Sequence, residues 1–233
     1  MSLQDIKILP EDGYLIIPLS MSRLTTPGQS PQACYEILEH LADKCEKLSN
    51  DVIFLYTSDL YFNATDAAFT VRKKVIGQLI AHRNGMQNII LKKKRFIPNA
   101  FHYLTFDYVI ANSDTFQEFF DTLWQTYQQS LIFKQLVNEG LDGREISESN
   151  IRFLLEETAV SHIIRAKLVL FPRTLVRHDR WRLIAYPDPY LKIDAYIWKN
   201  KILPIEPEQN IFAGGVYDSK ARLFYKFDEV IVS

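Results

Sequence analysis

A serine, a glutamate and two knots of positive charge are the residues of this 233-residue chain whose settings could do chemistry. Ser20 closes the apolar run Tyr14-Leu15-Ile16-Ile17-Pro18-Leu19. A run this short predicts a buried strand, and Pro18 predicts that it stops near Ser20. A hydroxyl just past the carboxyl end of a parallel strand stands where open α/β sheets meet their ligands, and a neighbouring base would make it a nucleophile. A serine after a strand is also an ordinary turn residue, and no Gly-x-Ser-x-Gly surrounds this one. Glu157 has Phe153, Val160 and Ile164 at i−4, i+3 and i+7. Those positions share one side of a helix, so the carboxylate interrupts an apolar stripe. Burial there disfavours the charged form and brings the group toward general acid–base work near neutrality. The alternative is a helix-edge carboxylate that reaches water. Glu156, about 100° round the helix and four residues from Arg152, reads as a surface ion pair.

The positive charge is local. Basic and acidic residues nearly balance, 27 against 28, so no global field drives the chain onto nucleic acid. Between residues 64 and 95, however, Arg72, Lys73, Lys74, Arg83, Lys92, Lys93, Lys94 and Arg95 face one acid, Asp66. Lys74, Gln78 and His82 share a helix side at i, i+4 and i+8. Two basic clusters on neighbouring elements could cradle a phosphate backbone, and a solvated face is the alternative. No aromatic residue interleaves with them, so stacking on single-stranded bases is not indicated.

These residues need a frame, and the pattern predicts one. After the first strand, SMSRLTTPGQSP is a loop of turn formers. Ser30-Pro31 opens a helix whose stripe is Cys34, Ile37, Leu38, Leu41, Cys45 and Leu48, with both cysteines as small core residues. Val52–Tyr56 predicts a central parallel strand. A helix from about Asp66 to Arg83 is expected to stop at Asn84-Gly85. Asn88–Leu91 and Phe106–Ala111 are the next strand candidates. Residues 114–138 then predict one long helix, and residues 148–166 another. Trp181–Tyr186, Asp194–Trp198 and Leu223–Phe227 are short β-like runs. Strand and helix alternate through the first half, which implies one α/β domain over residues 1–233 with an open parallel sheet.

Other classes are disfavoured. The chain is 47% hydrophobic and 24% charged, which argues against wholesale disorder. Two cysteines and five scattered histidines (His40, His82, His102, His162 and His178) suit neither a disulfide scaffold nor a dedicated metal site. Gly214-Gly215 lacks a dinucleotide spacing and no P-loop occurs, so no nucleotide cofactor is expected. No basic leader and no long apolar run are present, so a membrane partner is not expected and a cytoplasmic location is.

The order of these features resembles the tRNA-dependent cyclodipeptide synthases over roughly residues 13 to 200. YLIIPLS ending in Ser20 stands where that family has a strand ending in its catalytic serine. Asp51-Val52-Ile53-Phe54-Leu55 matches the next strand, and DAAFTVRKKVIGQLIAHR the basic helix that binds tRNA. FQEFFDTLWQTYQQSLIFKQL matches a long aromatic-rich helix. Phe153-Leu154-Leu155-Glu156-Glu157 matches a Tyr-x-x-x-Glu motif, with Phe153 in place of the tyrosine. Leu183-Ile184-Ala185-Tyr186 matches a strand bearing a tyrosine. Pro18-Leu19-Ser20 stands in place of Gly-x-Ser, Met21-Ser22-Arg23-Leu24 replaces the run that follows the serine, and Ala159 replaces a proline.

The resemblance implies a Rossmann-like sheet with helices on both faces, similar to the catalytic domain of a class I aminoacyl-tRNA synthetase. It implies aminoacyl-tRNA as the partner, no cofactor and no metal. Ser20 would carry the acyl group, Glu157 would move protons, and Tyr186 would position the reacting carbonyl. A non-catalytic tRNA- or RNA-binding protein on the same scaffold is the competing expectation, favoured by the missing hydroxyl at Phe153. A small-molecule transferase working without RNA is a weaker third.

Overall fold

The computed structural model of the protein describes residues 14–44, 51–57, 69–96, 101–166, 182–186, 192–203, 215–218 and 223–226. Its sheet has the strand order β3-β2-β1-β4-β5-β6. The strands are β1 Tyr14–Leu19, β2 Asp51–Tyr56, β3 Phe101–Thr105, β4 Arg182–Tyr186, β5 Gly215–Asp218 and β6 Leu223–Lys226. Pairing is parallel from β3 through β5, and β6 runs antiparallel to β5. The helices are α1 Pro31–Lys44, α2 Phe69–Lys93, α3 Phe106–Ala111, α4 Phe116–Gln129, α5 Leu131–Gly140, α6 Glu148–Arg165 and α7 Lys192–Lys199.

The alternation of a strand divides the core into two layers. Leu15, Ile17 and Leu19 of β1 pack with Cys34, Ile37 and Leu38 of α1 and with Val75, Met86 and Ile90 of α2. Ile16, on the opposite face, packs with Ile53 and Leu55 of β2 and with the apolar sides of α3 to α7. The expected Rossmann-like sheet with helices on both faces therefore forms. Ser30 caps α1 as expected, its hydroxyl accepting the Ala33 N–H at 3.2 Å. Cys34 lies in the core. Cys45, Leu48, Asp66, Trp181 and Phe227 lie outside the described residues.

Four expected elements take another form. Asn88–Leu91 is not a strand: α2 runs straight through Asn84-Gly85 to Lys93. Gly85 is there for closeness, since a Cβ on it would stand 2.8 Å from Cγ of Pro31 in α1. A four-residue apolar run suits helix or strand equally, and here Ile90 is buried one helical turn beyond Met86. Phe106–Ala111 is helix α3, with Phe106 and Val109 buried at i, i+3, and β3 lies just before it. The long helix breaks at Ser130, whose hydroxyl caps α5 by accepting Phe133 N–H at 3.2 Å. Asp194–Trp198 lies in helix α7, where Ile193 and Ile197 are buried at i, i+4.

The topology creates a crevice. From β1 the chain crosses to β2 on one side and later returns to lay β4 on the other. Connections leaving two adjacent parallel strands in opposite directions open a gap beyond their carboxyl ends, the usual ligand position in such sheets. Ser20 directly follows β1, and Tyr186 is the last residue of β4.

Candidate active site

Ser20 keeps an extended backbone, φ −83° and ψ 127°, so strand alternation continues through it. It therefore faces the same side as Ile16, the layer that holds α6 and Glu157. The peptide groups around it are pinned. Ser20 N–H donates to Gln29 Oε1 at 2.8 Å. Thr57 N–H donates to Leu19 O at 3.1 Å, and Arg23 N–H donates to Ser20 O at 2.9 Å. Met21 N–H donates to Thr57 Oγ1 at 3.1 Å. Residues 21–23 form a single 3-10 turn that ends in Arg23.

Glu157 occupies the stripe expected for it, with Phe153, Val160 and Ile164 all buried. Its carboxyl is pushed up to about 7. Desolvation by burial is the largest cause; the Arg144 and Arg23 guanidiniums oppose it, and the Asp194 carboxylate reinforces it. Charges on the 3-10 turn, the α5–α6 loop and α7 thus converge on this one group of α6. Arg23 Nη2 pairs with Asp142 Oδ2 at 2.6 Å, which ties the turn after Ser20 to that loop. The Arg144 guanidinium lies over the Phe153 ring, 5.2 Å from its centroid. Asp194 also reaches back to α6, its Oδ1 3.2 Å from Nε2 of the buried His162. Two guanidiniums and the Asp194 carboxylate thus surround Glu157, and Ser20, three residues before Arg23, faces the same layer, a combination suited to acyl transfer.

Glu156 forms the expected pair with Arg152, at 3.1 Å. Its side chain is only 15% exposed, however, and desolvation raises its pKa against the pull of Arg152. It is a half-buried neighbour of the site rather than a fully solvated pair. Tyr186 ends β4 beside β1, whose Ile16 pairs with Ile184 two residues earlier.

The basic residues all lie on or just after α2. Arg72, Lys73, Lys74, Arg83, Lys92, Lys93, Lys94 and Arg95 are exposed. Twenty residues at 1.5 Å each put the two clusters about 30 Å apart along the axis. They form a band along one helix and just past its end, spread round its exposed side, where two neighbouring elements were expected. His82 is not part of that band. It is 3% exposed and turns inward, because its position on the helix shares the buried side with Val75 and Met86. Aromatic rings from other elements lie beneath the cations: Tyr103 is 5.1 Å from the Arg83 guanidinium and Tyr35 is 6.0 Å from Lys93 Nζ.

Sequence reasoning passed over Arg23, Gln29, Thr57, Asp142, Arg144, His162 and Asp194. They come from separate loops and helices, so no local spacing joins them. His162 had a signal: Ala159–Ile164 carries no charged residue, so the helix is buried all round and its histidine needs a partner.

No protein-family model matches the sequence, and no curated protein matches it. Solved structures do. The CDPS of Staphylococcus haemolyticus superposes with a TM-score of 0.58 at 13% identity, over 92% of this chain and 91% of that one. A cyclodipeptide synthase from Bacillus thermoamylovorans gives 0.56 at 13% identity, over 93% of both chains. A Mycobacterium tuberculosis protein gives 0.54 at 14% identity, over 91% of this chain and 87% of that one, and is described as demonstrating that cyclodipeptide synthetases are related to type I tRNA synthetases. At this level of identity the likeness is one of fold. The chain has the fold of the cyclodipeptide synthases along nearly its whole length.

Proposed function

We propose that this protein is an aminoacyltransferase that joins the aminoacyl groups of two aminoacyl-tRNAs into a cyclic dipeptide. One observation carries the reading. On a cyclodipeptide-synthase fold, Ser20 follows the strand at the sheet's switch point and faces the layer in which Glu157 titrates near neutrality. The ester of an aminoacyl-tRNA is already activated, so the reaction needs no nucleotide. Ser20 Oγ attacks the ester carbonyl, the ribose hydroxyl of the tRNA leaves with the proton, and the amino acid stays on the serine as an ester. The amine of a second aminoacyl-tRNA then attacks that ester, Ser20 leaves as the free hydroxyl with the proton, and the dipeptide remains esterified to the second tRNA. The dipeptide's free amine attacks this second ester, the ribose hydroxyl of the tRNA leaves with the proton, and the cyclic dipeptide is released. Glu157 takes up and returns the protons of the attacking amines, a role suited to a carboxyl with a pKa of about 7. Tyr186, at the end of β4, positions the reacting carbonyl. The exposed row on α2, from Arg72 to Arg95, binds the tRNA backbone. Residues 1–233 act as one α/β domain.

A second reading, a tRNA-binding protein without chemistry, draws on Phe153. It is buried beneath Arg144 and has no hydroxyl to offer. Acid-quenched incubation with radiolabelled aminoacyl-tRNA separates the two. The wild type is expected to retain label, Ser20→Ala none, and Ser22→Ala some. Label persisting on Ser20→Ala would sink the nucleophile assignment, and an unlabelled wild type across all aminoacyl-tRNAs supports the second reading.

A further inference from the structure

Gln29, 4% exposed at the end of the loop after Ser20, turns its side-chain oxygen back to accept the Ser20 N–H. The donor is an N–H, so the amide atom facing it is the oxygen. The main-chain oxygen of Gln29 in turn lies 2.9 Å from His82 Nε2. A carbonyl oxygen only accepts, which places the ring proton on Nε2. Nδ1 is then an acceptor for the Tyr56 hydroxyl, 3.0 Å away. The single neutral tautomer satisfies both contacts, and desolvation of the buried ring lowers the His82 pKa in the same sense. Cys34 Sγ closes the group, 3.7 Å from Gln29 O. The residue after Tyr56 is Thr57, which holds the peptide groups on either side of Ser20. His82 also projects from the inner side of the helix whose outer side carries the basic row.

We propose that Gln29 and His82 are positioning residues for Ser20: His82 orients the Gln29 peptide, and the Gln29 side chain fixes the Ser20 N–H and so the main chain from which its hydroxyl projects. This rests on the acyl-transfer reading of Ser20. The helix that presents the basic row outward thereby also sets the nucleophile inward.

The test uses three variants of the full chain. Gln29→Met keeps the side-chain length without an acceptor, His82→Phe keeps a ring without a donor, and His82→Gln restores an N–H. Amide hydrogen exchange reads the geometry without reference to activity, and single-turnover labelling from aminoacyl-tRNA reads the chemistry. In Gln29→Met and His82→Phe the Ser20 amide should exchange about tenfold faster or more, while Leu15, Ile16 and Ile17 keep their protection. Labelling should slow by about tenfold with tRNA affinity unchanged, and His82→Gln should recover most of the rate. If His82→Phe does not fold, Gln29→Met decides alone. A wild type that takes no label overturns the acyl-transfer reading beneath the proposal. A labelled wild type whose Ser20 exchange and labelling rate are both untouched by Gln29→Met overturns the positioning role itself.

Discussion

A carboxyl that titrates near neutrality makes folding itself sensitive to pH. The Glu157 pKa is raised in the folded state, so the folded chain holds its proton more tightly than the unfolded chain does. Between the unfolded value, near 4.5, and the folded value of about 7, stability falls as pH rises, because the unfolded chain ionises there while the folded chain keeps its proton. Glu157→Gln removes that slope. Its denaturant-measured stability should gain on the wild type by on the order of 2–3 kcal/mol between pH 4 and pH 8, and a constant difference across that range would refute a carboxyl with a raised pKa. Product formation should fall further in Glu157→Gln than in Glu156→Gln, since Arg152 already neutralises Glu156. Helical spacing singled out Glu157 but left two readings, a perturbed carboxyl or a helix-edge one, and the fold adds that Phe153, Val160 and Ile164 are all buried around it. Arg23, Arg144 and Asp194 were not, because a charge on a loop carries no periodicity to betray what it faces.

At the scale of the element, close approach governs α1 and α2. Gly85 reads locally as a helix stop, yet it serves as a contact point against Pro31. Gly77, on the exposed side of the same helix, has open space where a methyl group would stand, with nothing within 4 Å. The two alanine substitutions should therefore differ in sign. Gly85→Ala should cost about 1–3 kcal/mol by forcing the helices apart. Gly77→Ala should stabilise by about 0.5–1 kcal/mol through helix propensity. Denaturant titration of both checks the prediction, and stabilisation by Gly85→Ala would contradict the close packing. The sequence signals failed at such places for one reason: a glycine, a serine or a four-residue apolar run has the same local look whether it ends an element or belongs inside one. β1 and β2 were readable as short continuous apolar runs bounded by turn residues, and α1 and α6 as apolar residues at helical spacing after turn-rich loops.

At the scale of the whole molecule, α2 spreads its charge along about 30 Å of exposed helix. Replacing Lys73 and Lys74, or Lys92 to Arg95, by alanine should flatten the log–log salt dependence of tRNA affinity. The slope should drop by roughly 0.7–0.9 for each phosphate no longer neutralised. The two multiple mutants should add, being far apart, and melting temperatures should change little because these side chains are exposed. An unchanged salt slope in both would move the RNA surface elsewhere. The insertion of β4 beside β1 has a consequence in time. Ser20 is made early, whereas Glu157, Tyr186 and Asp194 come more than a hundred residues later. At roughly 5–20 residues per second, about ten seconds or more of synthesis separate Ser20 from the far wall of the crevice. In the reaction proposed above, a nascent chain surrounded by aminoacyl-tRNA would carry the serine before the site that lets it react.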